Sequence, residues 1–149
     1  MKYLISILLL GLSFVNFSCA QKTIAPVSDN NIEAKPVTLS PSGMTFVNRS
    51  IDIGVVKKGE KREIEYTFTN TGVEDIQITQ VSTCDCTEVL YHPSLPVKPG
   101  AKSAIKVRFD SNKKDDEEPV EIDVWLERED PNTGMQMLER LEYTFKFSS

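Results

Sequence analysis

Extended structure with a period of two is written along this chain from Met44 onward. In Arg62–Thr69 the apolar Ile64, Tyr66 and Phe68 alternate with Glu63, Glu65 and Thr67. Successive strand residues face opposite sides of a sheet, so the pattern gives one face to a core and the other to water. The alternation returns in Ile105, Val107 and Phe109 against Lys106 and Arg108. It returns again in Val120, Ile122, Val124 and Leu126 against Glu121, Asp123 and Glu127, and in Leu141, Tyr143, Phe145 and Phe147 against Glu142, Thr144 and Lys146. Ile76 and Ile78 mark a further strand, and Met44–Val56 supplies one or two short ones.

Turn chemistry separates these runs. Lys57-Lys58-Gly59-Glu60 and Asn70-Thr71-Gly72 suit hairpins, Lys98-Pro99-Gly100 introduces the strand around Val107, and Asp130-Pro131-Asn132-Thr133-Gly134 joins the last two strands. No segment keeps a period of 3.6. About seven short strands with turn signals between them predict an all-β fold, an antiparallel Ig-like β-sandwich over residues 44–149. A closed barrel is the alternative.

The first residues read differently. Met1-Lys2 precedes the apolar run Leu4–Leu12, the length of a secretory signal and too short to span a bilayer comfortably. Residues 1–20 are therefore expected to be a signal peptide. Ser18-Cys19-Ala20 satisfies two processing rules. Ordinary signal peptidase would cut before Gln21, whereas a lipoprotein pathway would acylate Cys19, the reading preferred here because a polar tether follows. Lipid at Cys19 would be the chain's hold on a membrane, placing it in the periplasm or on the envelope as an anchored lipoprotein. Residues 21–43, with Pro26, Pro36 and Pro41 among Ser, Asn and Asp, read as a flexible linker reaching on the order of 25 Å.

Composition narrows the function classes. Hydrophobic residues make up 40% of the 149 and charged residues 26%, the balance of an ordinary globular domain. Net charge is −5, and without the leader's Lys2 it becomes −6. Such a chain repels phosphate backbones, so no nucleic-acid partner is expected. Nucleophile elbows, phosphate loops and zinc-protease motifs are absent from the sequence, and its one histidine, His92, lies in Leu90-Tyr91-His92-Pro93, a loop context. The expectation is a protein without enzymatic activity.

From Phe46 to Asp110 the chain resembles a family of exported bacterial Ig-like domains of unknown function, related in architecture to the Hydin-like and major-sperm-protein-like sandwiches. The likeness rests on Ile53–Glu60, Tyr66–Gly72, Ile76–Ser82, the motif Cys84-Asp85-Cys86-Thr87, and Val97–Gly100 leading into Val107–Asp110. The family usually has Gly between its paired cysteines, where this chain has Asp85. Its loop after Phe109-Asp110 is typically Gly-containing, and here reads Ser111–Glu118. The resemblance implies the fold and an exported location. It implies no activity.

Chemistry concentrates at Cys84 and Cys86. In an extended strand their Cα atoms would lie roughly 6.6 Å apart, the upper end of what a disulfide tolerates, so a bridge calls for a turn or bulge at Asp85. Three readings stay open: a local staple or two buried thiols, a redox-active pair, and a Cu(I) site with His92 or a methionine completing it. Asp115-Asp116-Glu117-Glu118 lacks the alternate spacing of a calcium loop and reads as a solvated connection between edge strands. Trp125 falls on the polar face, opposite Val124 and Leu126, and is a candidate interface residue. Together these point to a binding or scaffold module of the cell envelope whose partner is a protein or another envelope component. The alternative is a thiol-based metal or redox protein using Cys84 and Cys86.

Overall fold

Eight strands take up the alternating runs in the computed structural model, which describes residues 40–148. They are β1 (Met44–Phe46), β2 (Ser50–Val56), β3 (Lys61–Asn70), β4 (Ile78–Ser82), β5 (Thr87–Tyr91), β6 (Lys102–Asp110), β7 (Val120–Glu129) and β8 (Gln136–Phe147). The expected signal peptide, the acylation at Cys19 and the linker through residue 39 lie outside the described residues. Two four-stranded sheets face each other, the first in the order β1-β3-β6-β5 and the second in the order β2-β8-β7-β4. The fold is an Ig-like β-sandwich and not a closed barrel.

Three details differ from the pattern reading. The strand count is eight rather than seven: Met44–Val56 divides into β1 and β2, and Thr87–Tyr91 forms β5 although Thr87, Val89 and Tyr91 make a weak apolar set. The second sheet is mixed, because β2 runs parallel to β8 while every other pairing is antiparallel. Side-chain alternation has the same period in both kinds of ladder, so it carries no information about a neighbour's direction. Finally, Lys57–Glu60 and Asn70–Gly72 are not hairpins. Each carries the chain from one sheet to the other, β2 to β3 and β3 to β4. Only Asp130–Gly134, between β7 and β8, and the longer β5–β6 loop join neighbours within a sheet.

The inward faces match the predicted alternation. Ile64, Tyr66 and Phe68 of β3 with Ile105, Val107 and Phe109 of β6 are buried against Ile122, Val124 and Leu126 of β7 and Leu141, Tyr143 and Phe145 of β8. Full burial of a large apolar side chain contributes about 1.5–3 kcal/mol. Phe109 meets Phe145 across the sheets with ring centroids 4.5 Å apart, and Tyr143 at 5.4 Å. On the outer face of the first sheet the same registers make ion pairs, Glu63 and Glu88 with Arg108, and Glu65 with Lys106. These exposed pairs add little individually; they keep the sheet face charged.

Two buried phenols span the core. Tyr66 of the first sheet donates its hydroxyl to the Glu142 carbonyl of the second, at 2.7 Å. Tyr143 of the second sheet bonds the Thr87 hydroxyl of the first, at 2.6 Å. Burial first of all pushes both phenols above the ordinary value of 10.0, Tyr143 to about 12.

The end of the sandwich where β3 finishes is held by polar side chains. Asn70, fully buried, donates to the carbonyls of Glu74 and Val97 and accepts from the Gly72 amide, so the β3–β4 and β5–β6 loops share one side chain. Gly43 has a φ of +79°, and a Cβ there would come within 3.1 Å of the Gly72 backbone, so the two loops touch only because neither carries a side chain. Beside them Glu139 occupies an inward position of β8 and is 5% exposed. Ser40 and Ser42 donate their hydroxyls to one of its oxygens and the Arg49 guanidinium to the other. Residues 40–43, counted in the linker by composition, are thus attached to β8.

Stability should fall as pH rises through the window between 10 and about 12. An unfolded phenol ionises at its ordinary value while Tyr143 keeps its proton to about 12, so its contribution is complete below pH 10 and lost above it. Urea midpoints followed against phenolate absorbance check this. A midpoint indifferent to pH across that window refutes it. Arg49→Met leaves the Glu139 carboxylate without its cation and should cost about 1–3 kcal/mol, with Glu139→Gln milder because the serines can still donate; urea denaturation of both variants measures the difference.

Candidate functional site

The two cysteines sit where the chain changes sheets. Edge strand β4 ends at Ser82, edge strand β5 of the opposite sheet starts at Thr87, and four residues make the crossing. The Thr87 amide donates to the Cys84 carbonyl at 3.0 Å, closing a turn with Asp85 and Cys86 at its centre. That turn draws the Cα atoms of Cys84 and Cys86 to 5.2 Å, within the usual disulfide range, and the pair is bonded. The turn expected at Asp85 is present.

The two halves of the disulfide have unlike surroundings. Cys84 and Asp85 are exposed, whereas Cys86 is 3% exposed and belongs to the core. The Cys86 carbonyl accepts from the Asp110 amide at 2.9 Å, fixing the turn to the end of β6. Thr87 is buried below, with its hydroxyl oxygen 3.6 Å from the Cys84 sulfur, 3.7 Å from that of Cys86 and 2.6 Å from the Tyr143 phenol. Beside Cys86 a recess of about 170 Å³ is lined by Lys61, Lys113 and Arg108 together with Asp85, Glu88 and Asp110. The Lys61 ammonium and the Asn112 amide hold the Asp110 carboxyl below its ordinary range, while the hydrogen bond that Arg108 donates to the Glu63 carboxylate keeps the guanidinium more firmly protonated.

His92 does not join this site. It follows β5 in a loop, six residues beyond Cys86 and therefore about 20 Å along an extended strand. It is half-buried, with its Nδ1 unpaired, and faces a groove between β4 and β5 lined by Val81, Val89 and Tyr91. Met44 and Met137 are core residues at the far end of the sandwich, and Met135 is exposed in the β7–β8 hairpin. Among the described residues no group of three or more His, Cys, Asp or Glu side chains is gathered as a metal site requires. Among the described residues no third ligand is thus brought to the pair, and both sulfurs are bonded to each other.

The acidic run Asp115–Glu118 is exposed, as expected, but it links the inner strands β6 and β7 rather than edge strands. Lys58 binds Asp115 at 2.7 Å and Glu117 accepts from the Phe147 amide, so the run is tied into the crossover. Trp125 lies on the outer face of the second sheet, half-buried, its indole N–H 3.3 Å from the Ser82 hydroxyl. Its cross-strand partner is Leu138, 38% exposed. Residue chemistry alone did not single out Thr87 or Tyr143. Thr87 carries no charge and Tyr143 looks like any core aromatic, and only the sheet crossing brings them under the disulfide.

Solved structures share this architecture. The Vibrio cholerae VesB protease matches with a TM-score of 0.56 at 12% identity, over 70% of this chain and 32% of that one. The secreted serine protease VesC of the same organism matches with a TM-score of 0.55 at 16% identity, over 72% of this chain and 23% of that one. A protein of unknown function from Porphyromonas gingivalis W83 matches with a TM-score of 0.51 at 17% identity, over 78% and 51%. The chain spans about a third of VesB, under a quarter of VesC and about half of the P. gingivalis protein. At these identities the likeness establishes the fold alone. No curated protein matches the sequence. The family described as a protein of unknown function, DUF1573, matches residues 44–139, and by that match the chain belongs to it.

Proposed function

We propose that this domain is a non-enzymatic binding or scaffold module of the cell envelope, held there by lipid on Cys19. The observation that carries the reading is the placing of Trp125. The chain has one tryptophan, and it is spent on an outer sheet face rather than in the core. Paired with Leu138 and flanked by the charged pair Asp123–Arg140, it makes an aromatic-aliphatic patch on a largely polar sheet face. Such patches supply the anchoring contacts of protein interfaces. The partner would be an envelope protein that meets the second sheet face-on.

One specific observation favours a second reading, a redox-active pair at Cys84 and Cys86. The bond joins an exposed residue, Cys84, to a buried one, Cys86. A staple serving only stability has no need of that asymmetry.

Labelling growing cells with radioactive palmitate should mark the intact protein, and Cys19→Ala should abolish the mark. Equal labelling of both would remove the lipid anchor from the proposal. A photo-crosslinking residue at position 138 should give a discrete adduct in cells, while one at position 65, on the outer face of the first sheet, should not. Indistinguishable patterns from the two positions would refute the Trp125 face as the contact.

A further inference from the structure

We propose that the Cys84–Cys86 disulfide exchanges with external thiols in one direction, Cys84 being the sulfur attacked and Cys86 the leaving group, with Thr87 and Tyr143 positioning the hydrogen bond that receives the leaving thiolate. This rests on the redox reading of the pair given above and adds the order of events and the residues that set it.

The argument begins with access. An attacking thiolate must approach a disulfide sulfur from outside, in line with the bond to be broken. Cys84 is exposed and Cys86 is 3% exposed, so Cys84 offers the more open approach. Charge develops at the other sulfur. A thiolate released into a core is unfavourable unless a donor meets it. The Thr87 hydroxyl is 3.7 Å from the Cys86 sulfur, within reach of a sulfur hydrogen bond. Its oxygen is also 2.6 Å from the Tyr143 phenol. When the phenol donates to that oxygen, the threonine proton is free to turn towards sulfur. Burial keeps Tyr143 protonated to about 12, so it remains a donor throughout the range in which thiols react.

The step balances without another oxidant. A thiolate bonds to the Cys84 sulfur, the bond between the two cysteines breaks, and its electron pair leaves on the Cys86 sulfur. A second external thiolate then attacks the outer sulfur of the mixed disulfide and releases Cys84. Two external thiols are oxidised to their disulfide, the protein disulfide is reduced to a dithiol, and the two protons given up by the thiols are taken up by Cys84 and Cys86. The reagent class is a small thiol or a dithiol protein, and the protein acts once per molecule.

The test uses oxidised protein and glutathione. Rapid acid quenching, alkylation and peptide mass spectrometry should find the glutathione adduct on Cys84. Thr87→Val should slow reduction about 10-fold or more, the loss of a hydrogen bond to a charged group, and Thr87→Ser should restore it. Tyr143→Phe should slow it in the same direction by less. Circular dichroism of each variant shows whether the sandwich is retained, and Thr87→Ser is the comparison if Thr87→Val does not fold. An adduct on Cys86, or a Thr87→Val rate equal to that of the parent, overturns this inference while leaving a reducible pair in place. If excess dithiothreitol leaves the bond intact in the folded protein, the redox reading itself fails, and this inference with it.

Discussion

Two tyrosine hydroxyls, each reaching from its own sheet to the opposite one, are the constraint around which this sandwich is arranged. A phenol can enter an apolar interior only if its polar tip finds a partner there. Tyr66 finds the Glu142 backbone and Tyr143 finds Thr87, so the bonds run in opposite directions through the same core. They fix more than the spacing of the layers. Tyr143 also determines where Thr87 stands, and through it the sheet-crossing turn that carries the disulfide. The packing of the interior and the geometry of the surface turn are therefore one problem.

The long inner strands were legible because each buries one face and solvates the other. β3, β6, β7 and β8 show this cleanly, and their registers explain why outward glutamates meet outward lysines and arginines. β5 was hidden because it is short and occupies an edge, where fewer neighbours enforce alternation. The parallel partnership of β2 and β8 was hidden for a deeper reason, since the chain crosses sheets at Val47–Arg49 and a local pattern does not record what lies alongside. Glu139 shows a third kind of concealment. By period it belongs inward with Met137 and Leu141, by charge it belongs outward, and only the arrival of Arg49 and two serines from the other end of the sequence reconciles the two.

The cysteine motif was legible in kind but not in setting. Spacing alone showed that a bridge needs a bend at Asp85, and the bend is there. What spacing could not show is that the bend joins two edge strands of different sheets, so that one cysteine enters the core while the other stays in water. His92 illustrates the converse. As the one histidine in the sequence it was a plausible third ligand, and β5 places it at the strand end opposite the disulfide. The fold is shared with two Vibrio cholerae proteases and with a protein of unknown function alike, which is why the site, and not the architecture, bears the functional argument.

The attachment of Ser40 and Ser42 to Glu139 gives the domain a polarity. That attachment is at the end where β3 finishes, while Cys84–Cys86 sits beside the strand's beginning, near Lys61 and Asp110. Ten residues of extended chain, about 30 Å, separate the two poles. The chain therefore enters the sandwich at Ser40 on one pole, and the turn that carries Cys84 and Cys86 is left open to solution at the other.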